Sequence, residues 1–178
     1  MHIMLMSILG KGKKVNMVAN MDLRLKYHLL PLSEEVQESL YKQTIRLLNY
    51  VDGREEERMV AMDFRTGEVL AANFEKTGSY GGTGFTHQQS KIIKKNRGSV
   101  ILLLNHPLND RPSVQEMITY AKNEKIKLTV IACHDGTVYA IYTVKEDIRR
   151  YKEYATDELY KLNDSLSGKD KIFDIRKF

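Results

Sequence analysis

The chain predicts an α/β fold in which a mixed β-sheet is flanked by helices. Three observations carry this. Val100-Ile101-Leu102-Leu103-Leu104 is an unbroken apolar run of strand length, with polar residues on either side. Two turn signals, Arg65-Thr66-Gly67 and His134-Asp135-Gly136-Thr137, each sit between strand-like segments. Between and around these lie segments of helical periodicity that begin with capping residues.

The first segment, residues 1–21, reads as a poorly ordered extension. His2 to Leu9 is apolar but short, and its lysines follow it, the wrong order for a signal peptide. Residues 22–54 form an N-terminal helical segment. Ser33 is the N-cap of a helix over 34–51, with Glu34 and Glu35 in the first turn. Val36, Leu40, Ile45, Leu47 and Leu48 recur at helical spacing.

Residues 55–144 carry the core. Residues 57–63 read as a strand with apolar side chains on both faces, which places it centrally. A second strand, 68–74, returns from the Arg65–Gly67 turn. Four glycines follow in residues 78–84, without the Gly-Lys-Ser/Thr ending of a phosphate loop, and read as a connection. Thr86 caps a helix over 87–97, ended by Gly98. The strand 100–104 leads through a loop to Ser113, which with Glu116 makes a capping-box pattern for a helix over 114–124. Residues 128–133 are a buried strand, and 138–144 its hairpin partner. The strand–helix–strand unit makes the two strands 100–104 and 128–133 parallel. Residues 145–166 read as one long charged helix, and the remainder of 145–178 as a tail of mixed charge.

A chain of 178 residues suits one domain of this kind. A domain of that size buries roughly 70% of the surface of its unfolded chain. The net charge of +5 permits an acidic or nucleic-acid partner without requiring one. Lys91, Lys94 and Lys95 share one helical face, but no aromatic side chain interleaves them, so a solvated surface explains them better. Cys133 is the single cysteine, which excludes an internal disulfide and a cysteine-rich zinc site and fits a cytoplasmic setting. No apolar run approaches the ~20 residues of a membrane span.

Ligands in such sheets collect beyond the C-terminal ends of parallel strands. That rule gathers Asn105, His106, Cys133 and His134, with Ser113 and Glu116 on the following helix. His87 joins them if its helix runs antiparallel to the next strand. Each also has a plainer account. His106 can end a strand, and His87 can sit on a helix surface. His134 in an Asp-Gly turn is expected to be exposed. Cys133 can be a small buried apolar side chain, and Ser113 with Glu116 can simply cap a helix.

Asn105-His106-Pro107, with Ser113 and Glu116 beyond it, resembles the core motif of the JAB/MPN (JAMM) metallopeptidase-like family, including its RadC-like branch. Phage and mobile-element proteins with a similar Asn-His-Pro and a following hairpin like Asp135-Gly136-Thr137-Val138-Tyr139 are the nearest in pattern. The resemblance covers about 55–144. It implies a JAB/MPN-like fold and, in active members, zinc-dependent hydrolysis of peptide or isopeptide bonds. The family motif has two histidines and an aspartate as zinc ligands, a glutamate as general base and a serine that stabilises the intermediate. Carried over, Glu57 matches the base, with Glu55 and Glu56 as neighbours. His106 and Glu116 fall on metal positions and Ser113 on the serine, after a loop one residue short. Leu104 stands where the first histidine belongs, so His87 or His134 would have to complete a site.

Three functions remain open. A degenerate JAB/MPN-like domain would act as a binding or regulatory module on a protein partner. A zinc hydrolase would need the rearranged ligand set His106, Glu116 and His87, with Glu57 and Ser113 catalytic and a protein substrate. A nucleic-acid-associated protein would use the Lys91–Arg97 face.

Overall fold

The computed structural model describes residues 14–74 and 84–178. Most of the glycine-rich connection therefore lies outside the described residues. The fold is α/β, built on a six-stranded mixed sheet in the order β2-β1-β3-β4-β5-β6. The strands are β1 (Met59–Asp63), β2 (Val69–Ala72), β3 (Val100–His106), β4 (Ile126–Cys133), β5 (Val138–Val144) and β6 (Phe173–Lys177). β3 and β4 run parallel, and the other neighbouring pairs are antiparallel.

The central strand explains its own composition. Ile101 and Leu103 of β3 enter one core, with Val60, Met62, Leu128 and Val130. Helix α2 (Glu34–Val51) closes that face through Val36, Leu40, Leu47, Leu48 and Val51. The Ser33 hydroxyl accepts a hydrogen bond from the amide of Val36 at 3.4 Å, as a capping residue should. A short helix, α1 (Leu23–His28), adds Leu23 and Tyr27, and the Tyr27 hydroxyl meets Thr44 Oγ1 at 2.8 Å.

Leu102 and Leu104 point the other way, into a layer with Met59, Ile131, Cys133 and Ile141. Helix α3 (His87–Lys95) packs beside β2, and helix α4 (Val114–Ala121) packs beside β5. The side chain of Lys125 donates to the carbonyls of Ile93, Lys94 and Asn96, placing a cation on the C-terminal end of α3. α3 ends at Lys95 rather than at Gly98, because Asn96 already leaves the helical conformation at ψ 128°. Gly98 is needed for another reason: a Cβ there would lie 2.7 Å from Asp63 Oδ2.

The C-terminal region differs from the single helix expected over 145–166. A 3-10 turn at Glu146–Tyr151 is followed by a break and then by α5 (Thr156–Ser165). One straight helix of 22 residues would reach about 33 Å. The break instead lets Ile148 and Leu159 enter one cluster with Val114, Met117 and Phe173. Asn163 then turns the chain back. Its Oδ1 accepts from the amides of Ile172 (2.8 Å) and Phe173 (3.1 Å), and its Nδ2 donates to the Phe173 carbonyl. The expected charged tail is strand β6, paired with β5.

The described part of the N-terminal segment is packed, contrary to the extension expected. Val15 and Asn20 are buried. The Val15 amide donates to Asp52 Oδ1 at 2.9 Å, and the Asn16 amide donates to the His134 carbonyl at 2.7 Å. Gly136, with φ 93°, leaves no room for a side chain, because a Cβ would fall 2.4 Å from the Ala19 carbonyl oxygen.

No helix among the described residues is long and apolar enough to cross a membrane.

Candidate functional site: a histidine–carboxylate pair at the end of β3

β3 continues two residues past its apolar run, so Asn105 and His106 are strand residues that pair with Ala132 and Cys133. Alternation then sends His106 to the same face as Leu104. α4 starts directly beyond the loop. The Ser113 hydroxyl accepts from the Glu116 amide at 3.2 Å, while Glu116 Oε2 accepts from the Ser113 amide at 2.7 Å, closing the capping box. The Ser113 hydroxyl also lies 2.7 Å from Glu116 Oε2.

That cap aims the other Glu116 oxygen at the strand end. Glu116 Oε1 lies 2.6 Å from His106 Nε2, and His106 Nδ1 lies 2.8 Å from the Asp110 carbonyl. A carbonyl oxygen only accepts, so Nδ1 carries a proton. Ser113 donates to the other Glu116 oxygen, Oε2, so Oε1 is left to the His106 contact. Burial opposes charge on this ring. The Glu116 carboxylate, the Asp110 carbonyl and the more distant Glu57 outweigh burial and raise the His106 pKa above the ordinary histidine value. Burial likewise opposes the Glu116 charge, but His106 and Ser113 hold its pKa below the ordinary range. The two sites describe one imidazolium–carboxylate pair.

Glu57 lies just ahead of β1, and one side chain brackets it. Asn105 Oδ1 accepts from the Arg58 amide at 2.7 Å, and Asn105 Nδ2 donates to the Glu56 carbonyl at 3.0 Å. Glu57 is half-buried, and its carboxylate makes no hydrogen bond among the described residues. Burial above all raises its pKa; His106 pulls it down and Glu116 pushes it up. A cleft of about 650 Å³ opens over these groups. Its wall carries Glu55, Glu56, Glu57, Asp110 and Glu116 against Arg58, Arg111 and His106, an acidic balance in a basic chain.

The structure thus brings together Glu57, His106, Ser113 and Glu116. It does not bring His87. That residue is exposed at the start of α3, which packs on β2, two strands from β3, and it does not line the cleft. His134 is buried, not exposed in its turn, because residues 14–20 cover it. Its Nε2 takes the second hydrogen of Asn105 Nδ2 at 3.1 Å and so serves as an acceptor. Among the described residues no group of three or more His, Cys, Asp or Glu is placed to hold a metal ion. Cys133 is fully buried, and burial pushes its thiol up to about 12, which leaves it unreactive. Lys91, Lys94, Lys95 and Arg97 are exposed, away from the cleft.

Asn105 is the residue that sequence reasoning underrated. Its signal was available: an amide inside a buried strand needs partners for every polar atom, and here they are the backbone on either side of Glu57 and the ring of His134.

Comparison of the chain with known protein families, with curated proteins and with solved structures finds no match in any of the three.

Proposed function

We propose that this chain is a JAB/MPN-like domain without metallopeptidase chemistry, which acts as a binding or regulatory module and engages a protein partner through the cleft at the end of β3. One observation carries the reading: Leu104 occupies the first ligand position with an apolar side chain that belongs to the layer of Ile131 and Cys133. His106 and Glu116 alone would give a site one protein ligand short of the usual three.

The test is the zinc content of the purified chain after dialysis, measured beside His106→Ala and Leu104→His. The wild-type chain is expected to retain no zinc. Leu104→His adds an imidazole two residues from His106 on the same face and is expected to bind zinc, with loss on adding His106→Ala. One zinc per wild-type chain, lost in His106→Ala, overturns the proposal in favour of a hydrolase with Glu57 as base.

A further inference from the structure

The end of the sheet opposite the cleft is basic. Residues 96–99 lead into β3 there and residues 122–125 lead into β4, so both turns lie at the N-terminal ends of the parallel strands. Lys125 ties them together. Its Nζ donates to the carbonyls of Ile93 (3.1 Å) and Lys94 (2.7 Å), and to that of Asn96. A hollow of about 490 Å³ lies between the turns, with Arg97 from one and Lys122 from the other in its wall. Lys91, Lys94 and Lys95 extend the basic surface along the last turns of α3, where their three- and four-residue spacing keeps them on one face.

Lys91, Lys94, Lys95, Arg97 and Lys122 are exposed, and none of the five forms an ion pair among the described residues. Glu124 is the carboxylate in the wall of the hollow. Asp63, beside Gly98, is buried and already accepts from Asn96 Nδ2 and from the amides of Arg65 and Thr66. The net charge of the whole chain is +5, so this end carries a large share of it.

What the surface lacks selects its partner. A protein interface is anchored by apolar and aromatic side chains at its centre, and docking into a lipid surface needs an apolar face. Ile92 is the one large apolar side chain exposed here among the described residues; Val18, Met21, Leu25 and Leu29 are exposed on the N-terminal segment and around α1 instead. Single-stranded nucleic acid is held by stacking its bases on aromatic rings, and no exposed aromatic side chain lies among these cations. The backbone of a duplex requires none of these features, because lysine and arginine contacts supply nearly all of its sequence-independent affinity.

We propose that this end of the sheet binds the phosphate backbone of double-stranded nucleic acid, without regard to sequence, through Lys91, Lys94, Lys95, Arg97 and Lys122. The lysines of α3 alone read as a solvated face. The fold changes that reading by setting Lys125, 31 residues beyond Lys94, against the end of the helix and bringing Lys122 beside Arg97. Lys125 is spent on the helix carbonyls, where it offsets the negative end of α3 that would otherwise repel a phosphate. The surface is independent of whatever occupies the cleft.

The experiment is fluorescence anisotropy of a labelled DNA duplex of about 20 base pairs and mixed sequence, titrated with the whole chain from about 50 to 200 mM salt. Micromolar or tighter binding is expected at the low-salt end. About five phosphate contacts give a slope of log affinity against log salt near −4.5, a loss of roughly 500-fold across this range. Lys94→Gln with Arg97→Gln should flatten the slope by about 2 and weaken binding at the low-salt end on the order of a hundredfold. Arg149→Gln with Arg150→Gln removes the same charge from the exposed 3-10 turn after β5 and should leave the slope unchanged. All four positions are exposed, and equal thermal midpoints check that the fold is kept. No binding up to about 100 μM chain at the low-salt end overturns the proposal. An equal fall in slope in both double variants overturns it too, because net charge rather than this surface would then be responsible. Tighter binding of a single strand of the same length, of a poly-glutamate peptide or of phosphatidylglycerol vesicles assigns the surface to another partner and overturns it as well.

Discussion

The two faces of β3 were built from the same residue types and have opposite characters. Leu103 and Ile101 face α2 and join the core cluster with Leu40, Leu47 and Leu48. One residue further along the strand, Leu104 faces a cavity that opens towards charge. Hydrophobicity alone therefore does not make a core. The closed face has an 18-residue helix laid along it, whereas the open face has the eight-residue α4, whose start is held by a cap that also serves the site. The longer helix accompanies the sealed face and the shorter one the face that borders the cleft.

That contrast can be broken by one pair of substitutions. Leu103→Ala should cost about 4 kcal/mol, because a sealed core cannot collapse around the hole. Leu104→Ala should cost about half as much, since its side chain already borders open space. Urea unfolding of both variants measures the difference, and equal losses would erase the distinction between the faces. The next largest effect lies in the polar half of the open face. Glu116→Ala leaves His106 without its counter-charge and the Ser113 amide without its acceptor, an expected loss of about 2 kcal/mol. Nuclear magnetic resonance titration should then show the His106 pKa falling; an unchanged value would mean that the pair does not set the charge of the ring.

The smallest effect is a pH dependence with a definite sign. His106 is raised in the folded chain, so its contribution is whole below its ordinary value of 6.5 and is lost as pH rises through the folded value. Glu116 is lowered, so its contribution is present above 4.5 and is lost as pH falls through the folded value. The stability gap between wild type and Glu116→Gln should be widest from about 4.5 to 6.5 and should shrink as pH rises through the raised His106 value. A gap that is flat across this range would remove the ion pair from the account.

Much of the scaffold was legible because its signals are local. Ser33 before Glu34-Glu35, Thr86 before its helix, and Ser113 with Glu116 each name a helix start by hydrogen-bond chemistry within four residues. The Arg65–Gly67 and His134–Thr137 turns likewise named both hairpins. The pairing of His106 with Glu116 was within reach for the same reason, since a strand end and the next helix start are joined by a short loop. What escaped depended on distant partners. Phe173-Asp174-Ile175-Arg176-Lys177 alternates apolar and charged residues over only five positions, too short to stand out from a charged tail until β5 is beside it. His134 looked exposed because an Asp-Gly turn usually is, and nothing near it in sequence announces that residues 14–20 lie across it. His87 was placed by the direction of its helix, but direction alone does not say over which strand a helix lies.

That crossing of the N-terminal segment over the β4–β5 turn has a consequence for the order of assembly. The hydrogen bond from Asn16 to His134 joins residues more than a hundred positions apart, and Gly136 is shaped to receive Ala19. During synthesis residues 14–20 emerge more than a hundred positions before the β4–β5 turn on which they dock. At about 5–20 residues per second, the segment waits on the order of ten seconds without its partner. Its apolar residues Met17, Val18 and Met21 are exposed even when it has docked.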